Sequence, residues 1–150
     1  LPISTEAADD GDLIEDLLHA MQAGRADFTL AFRRLSNCAA SPGADDELLA
    51  LFEAQEGIRG WLPRWRERLL AEEASAQAAA ERMRAVNPLY IPRNHLVEQM
   101  IADAVERDDF APFEALNKVL SRPFEEQAGQ ERYARPAVPD EQVLRTFCGT

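Results

Sequence analysis

The chain has 150 residues, 46% of them hydrophobic, and carries 27 Asp and Glu against 16 Lys and Arg, a formal net charge of -11. The length suits one domain with a core that buries roughly 70% of the unfolded surface. The charge argues against a nucleic-acid partner and against an anionic membrane surface, two cysteines exclude a disulfide scaffold, and no apolar run approaches the ~18 residues of a membrane helix. The acidic excess sits at the two ends, because residues 51–100 hold seven acidic and seven basic side chains. The chain opens Leu1-Pro2-Ile3-Ser4-Thr5, without an initiator Met or a signal-peptide pattern. It therefore reads as a processed or excised piece of something larger, with a cytoplasmic location expected.

Helix formers dominate. A first helix is expected from about Asp12 to Gln22, with Leu13, Ile14, Leu17, Leu18 and Met21 as its apolar stripe and Gly24 placed to end it. Asp27 is a plausible N-cap for a second, on which Phe28, Phe32 and Leu35 share a face. Residues 37–43 read as a loop. A short third helix carries Leu48, Leu49 and Phe52. Ile58, Trp61, Leu62, Trp65 and Leu69 then recur at helical spacing, with Pro63 inside the pattern, so a helix with a local break is expected. Ser75 either caps a next helix, whose main large apolar residues are Met83 and Val86, or the preceding helix simply continues through it. Pro88 and Pro92 keep Asn87–Asn94 extended. Asn94 then caps a helix to about Arg107, with Leu96, Val97, Met100, Ile101, Ala104 and Val105 facing inward. Asp109 opens a last helix bearing Phe113, Leu116, Val119 and Leu120. No stretch alternates with period two. The expected class is all-α, an irregular bundle of about six helices in one domain over 1–150, with residues 1–11 and 122–150 largely irregular.

Chemistry-bearing patterns are sparse. There is no Gly-rich phosphate loop, no H-E-x-x-H and no C-x-x-C. Asp9-Asp10-Gly11-Asp12 lacks calcium-loop spacing and reads as an acidic helix start. His19 and His95 have no second ligand one turn away, so no metal site is expected. Glu125-Glu126 reads as solvated charge, Trp61 and Trp65 as core, and Cys38 as a small buried residue. The Tyr90-Ile91-Pro92-Arg93-Asn94 connector either clamps two elements together or presents side chains to a partner. Cys148, third from the end, is either an idle tail thiol or one able to reach a partner thiol with little backbone strain.

Taken together, Asn87–Asn94, Arg122-Pro123-Phe124-Glu125-Glu126-Gln127, Tyr133-Ala134 and Cys148-Gly149-Thr150 resemble the C-terminal end of the selenoprotein O family. Arg25–Thr29 and Phe32–Ser36 resemble it too. The resemblance implies a larger pseudokinase-like protein that binds ATP and Mg²⁺ and transfers AMP to Ser, Thr or Tyr of other proteins. It implies that Cys148 matches the family's selenocysteine position, where bacterial cysteines are associated with redox control through a disulfide to the catalytic part. None of the family's nucleotide- or metal-binding motifs occurs in this chain, so no catalytic residue and no cofactor is assigned to it. Its expected partners are the N-terminal kinase-like part of the same protein and, through that part, protein substrates. An isolated piece would self-associate through whatever apolar face its parent covers. The competing expectation is a free-standing helical protein-interaction module without enzymatic activity.

Overall fold

The computed structural model describes residues 9–72 and 75–143. Among them there is no β-strand, and eight α-helices follow one another: α1 (Asp10–Ala23), α2 (Phe28–Ala40), α3 (Asp45–Leu49), α4 (Glu56–Glu72), α5 (Ala76–Val86), α6 (Asn94–Arg107), α7 (Ala111–Leu120) and α8 (Glu131–Ala134). The class is all-α. The expected count of about six falls short because α8 is a single turn, too brief to show periodicity, and because α4 and α5 are separate helices. The chain divides into two compact units, residues 1–87 and 88–150.

In the first unit α1 packs on α4 and α2 on α5. Leu13, Leu17, Ala20 and Met21 form the buried stripe of α1, while Ile14 and Leu18 remain 42% and 44% exposed. Those two lie about 100° round the helix from Leu13 and Leu17, outside the stripe that packing covers. Trp61 and Trp65 are both 1% exposed and stack with ring centroids 5.5 Å apart. The Trp61 indole N–H donates to the Leu13 carbonyl oxygen at 2.7 Å. The helical assignment of α4 is continuous through Pro63, without the expected break. A mid-helix proline costs about 3 kcal/mol; the buried side chains Ile58, Trp61, Leu62, Trp65 and Leu69 on the same helix offset it.

α2 and α5 meet through small residues. Ala31, Ser36, Ala79 and Ala80 are fully buried beside Met83, whereas Val86 is 69% exposed. The alanines are the packing face of α5, in place of the larger side chains that its sequence lacks. Two caps stand where the sequence puts them: the Asp27 carboxylate accepts from the Leu30 N–H at 2.9 Å, and the Ser75 hydroxyl accepts from the Ala78 N–H at 3.1 Å. The expected loop over 37–43 shrinks to Ser41 and a 3₁₀ turn, Pro42–Ala44, because α2 runs on to Ala40.

Gly24 ends α1, but its own φ is an ordinary -83°. What demands glycine there is close approach: a Cβ would sit 2.5 Å from the Phe52 ring and 3.1 Å from the carbonyl oxygens of Ala20 and Ala54. The left-handed residue is the next one, Arg25, with φ 50°.

In the second unit α6 and α7 pair as a hairpin. Asp108, with φ 53°, closes α6. The N-cap of α6 is Arg93, so Asn94 is the first helical residue, one position later than its expected role. Pro112 sits in the first turn of α7, where its missing N–H costs no helix bond. The buried apolar set of this unit is Tyr90, Leu116, Val119, Tyr133 and Ala134. Ile101 and Val105, expected inward, are 47% and 79% exposed. No helix of the described residues is long and apolar enough to cross a membrane.

Candidate functional site

The marked connector is tied into the second unit by backbone and phenol together. The N–H groups of Leu89 and Tyr90 both donate to the Pro123 carbonyl oxygen, at 2.8 and 3.2 Å. The Tyr90 ring is 3% exposed. Its hydroxyl donates to the Gln127 carbonyl oxygen at 3.4 Å and accepts from the Gln127 N–H at 3.2 Å. The Gln127 amide in turn donates to the carbonyl oxygens of Val119 and Arg122, at 2.9 and 3.0 Å, which ties the end of α7 to the turn after it. Segments some 35 residues apart in sequence thus meet, and the clamp is the role this geometry gives Tyr90. In the same unit three ionisable groups, His95, Arg135 and Glu141, lie together. Arg135 holds Glu141 in a two-pronged pair at 2.8 and 2.6 Å, and that hydrogen bonding holds the Glu141 carboxyl down to about 2. The His95 ring lies 4.0 Å from Glu141 with its side chain buried. Burial lowers its pKa from the usual histidine range. Its neutral form therefore belongs to the fold, and acidification below that range works against this corner.

Other polar residues are used structurally. Asp10, buried at the start of α1, accepts from Arg68 of α4 at 2.7 and 3.1 Å. Asp16 pairs with Arg64 at 2.6 Å. The Arg33 guanidinium, 4% exposed, donates to the carbonyl oxygens of Arg84 and Asn87 at 3.3 Å each, placing a cation at the negative end of α5. Asp103, the buried residue of α6, accepts from Gln99 at 3.0 Å and pairs with Arg107. Sequence reasoning passed over Arg33, Arg68 and Asp103. The signal available for Arg33 was its place three residues before Ser36, beside the small residues of α2.

Glu125 and Glu126 are both exposed, Glu125 lying 3.3 Å from Arg122. His19 is exposed on α1, in the first unit, while His95 belongs to the second. Cys38 is 1% exposed, and its Sγ lies 3.5 Å from the Ala44 carbonyl oxygen. Burial, reinforced by the negative charge of Asp45, pushes its thiol up to about 12. That thiol is a poor nucleophile at neutral pH. Cys148 lies outside the described residues.

Among the described residues no group of three or more His, Cys, Asp and Glu could hold a metal ion. The cavity lined by Asp16, His19, Glu56, Trp61 and Arg64, of about 490 Å³, holds the Asp16–Arg64 ion pair. These residues do not fit Mg²⁺-ATP, and no nucleotide step is derived through them.

The class defined here is an all-α region whose family-like residues close a connector onto a turn. The model of the family described as protein adenylyltransferase SelO matches residues 2–121. Proteins named protein nucleotidyltransferase YdiU are similar over nearly the whole chain. The one from Bradyrhizobium sp. (strain BTAi1) is 52% identical over 150 residues, all of this chain and 30% of the relative. The one from Rhizobium meliloti (strain 1021) is 53% identical over 146 residues, 97% of this chain and 30% of the relative. The chain belongs to the SelO family. It spans about 30% of the length of these relatives.

Proposed function

We propose that the chain is the C-terminal helical, non-catalytic region of a SelO-type protein adenylyltransferase, an enzyme that transfers AMP from Mg²⁺-ATP to Ser, Thr or Tyr of proteins. The observation that carries this reading is the match of the whole chain to 30% of a protein nucleotidyltransferase at 52% identity. The chemistry of the described residues supports it. Buried polar groups among them serve the fold: Arg33 binds the end of α5, Asp10 pairs with Arg68, and Tyr90 closes the clamp. A free-standing interaction module is the weaker reading, since these relatives are more than three times longer than the chain. The experiment is calorimetry with Mg²⁺-ATP. The full-length protein is expected to bind it and the 150-residue chain is not. Micromolar binding by the chain alone would contradict the reading.

In this reading Cys148 serves as a redox-regulatory thiol whose partner belongs to the rest of the polypeptide. The burial of Cys38 and its high pKa support a partner other than Cys38. After mild peroxide treatment of the full-length protein, peptide mapping should find Cys148 joined to a cysteine outside these residues and Cys38 still reduced. A Cys38–Cys148 bridge would overturn that assignment. A Cys148→Ala variant whose activity responds to peroxide as wild type does would remove the regulatory role.

A further inference from the structure

α6 is a helix of 14 residues whose buried residue is Asp103, an acid. Leu96, Val97 and Met100 are only partly covered where they meet the unit's core. The hairpin that α6 forms with α7 leaves Ile101 47%, Val105 79%, Phe110 54% and Phe113 49% exposed. Ile101 and Val105 stand one turn apart on the same helix face. Helices in proteins draw most of their stability from burying an apolar face, and this one buries little. Scattered exposed apolar side chains are ordinary, but here four fall within one hairpin, beside a small buried set. Charge around them has one dominant sign. Glu98 lies three residues before Ile101, and Asp108 and Asp109 lie three and four after Val105. Arg107, the cation of this stretch, is paired with Asp103.

We propose that Ile101, Val105, Phe110 and Phe113 are the face on which the remainder of the longer polypeptide packs, through an apolar patch rimmed by basic side chains. The occupant follows from length: the chain covers only 30% of relatives that match it end to end. The proposal rests on the reading of the chain as part of such a protein, and adds which surface joins it to the rest.

Solvent access at single cysteines tests it. Val105→Cys and, as a second position, Ile101→Cys are introduced into the full-length protein, with Lys118→Cys on the polar side of α7 as the reference. Maleimide labelling is followed by peptide mapping. In the native protein residues 105 and 101 should label at least tenfold more slowly than residue 118, at every protein concentration, and all three should label alike in denaturant. Equal native rates would overturn the proposal. So would protection that disappears on dilution, which would make the occupant a second copy of the chain. AMP transfer is scored on the same samples. Protection without transfer sinks the adenylyltransferase reading alone, and transfer with free labelling at residues 101 and 105 sinks the docking face alone.

Discussion

Trp61→Ala is expected to destabilise the first unit by about 3–5 kcal/mol. The indole is 1% exposed, stacks on Trp65 and donates to the Leu13 carbonyl oxygen of α1. Truncation therefore opens a cavity between α1 and α4 and removes the indole's added hydrogen bond to the Leu13 carbonyl. A loss of that size is a large part of the stability of an ordinary domain, about 5–15 kcal/mol. Both tryptophans lie in this unit, so the emission of Trp65 reports its unfolding in urea. The midpoint should fall steeply, while Leu70→Ala, at a side chain 72% exposed, should shift it by less than about 0.5 kcal/mol. A Trp61→Ala midpoint close to wild type would mean that the two helices are held together by something other than this contact.

Tyr90→Ala should be the most damaging single change in the second unit, with a cost of about 3–5 kcal/mol for its ring. The buried apolar set there is short, and Tyr90 joins it to the turn after α7. Tyr90→Phe separates ring from hydroxyl. It keeps the ring but strands the Gln127 N–H, and should cost about 1–2 kcal/mol. Amide hydrogen exchange reads both. In Tyr90→Ala, protection should collapse along α7 and persist along α4. In Tyr90→Phe it should weaken mainly near Gln127. Equal, small effects of the two variants would show that the connector is held by its backbone bonds to Pro123 alone.

Local signals were legible in the sequence and partner-dependent ones were not. Asp27 and Ser75 cap their helices as their types foretell, since a cap bonds a backbone N–H three residues away. The apolar periodicity of α1 and α6 announced helices, but it could not say how much of each stripe a neighbour covers. Ile14, Leu18, Ile101 and Val105 are exposed for that reason. The alanines of α5 were passed over because small residues matter only when another helix comes close. The Asp10–Arg68 pair spans 58 positions, and no spacing rule reaches that far. The connector was recognisable from its prolines, whereas its partners Pro123 and Gln127 emerge only once the chain is folded. The tail thiol Cys148 was visible in the sequence alone, and its role rests on the family resemblance.

In the proposed function this helical region serves an enzyme that moves AMP, with the transfer chemistry housed outside these 150 residues. Protein labelling with two forms of ATP tests it most directly. The full-length protein, given Mg²⁺ and ATP labelled on the α-phosphate, should label protein substrates, and ATP labelled on the γ-phosphate should leave them unlabelled. The 150-residue chain should transfer neither label. Transfer of the γ-label by the full-length protein, or of the α-label by the chain alone, would contradict the account.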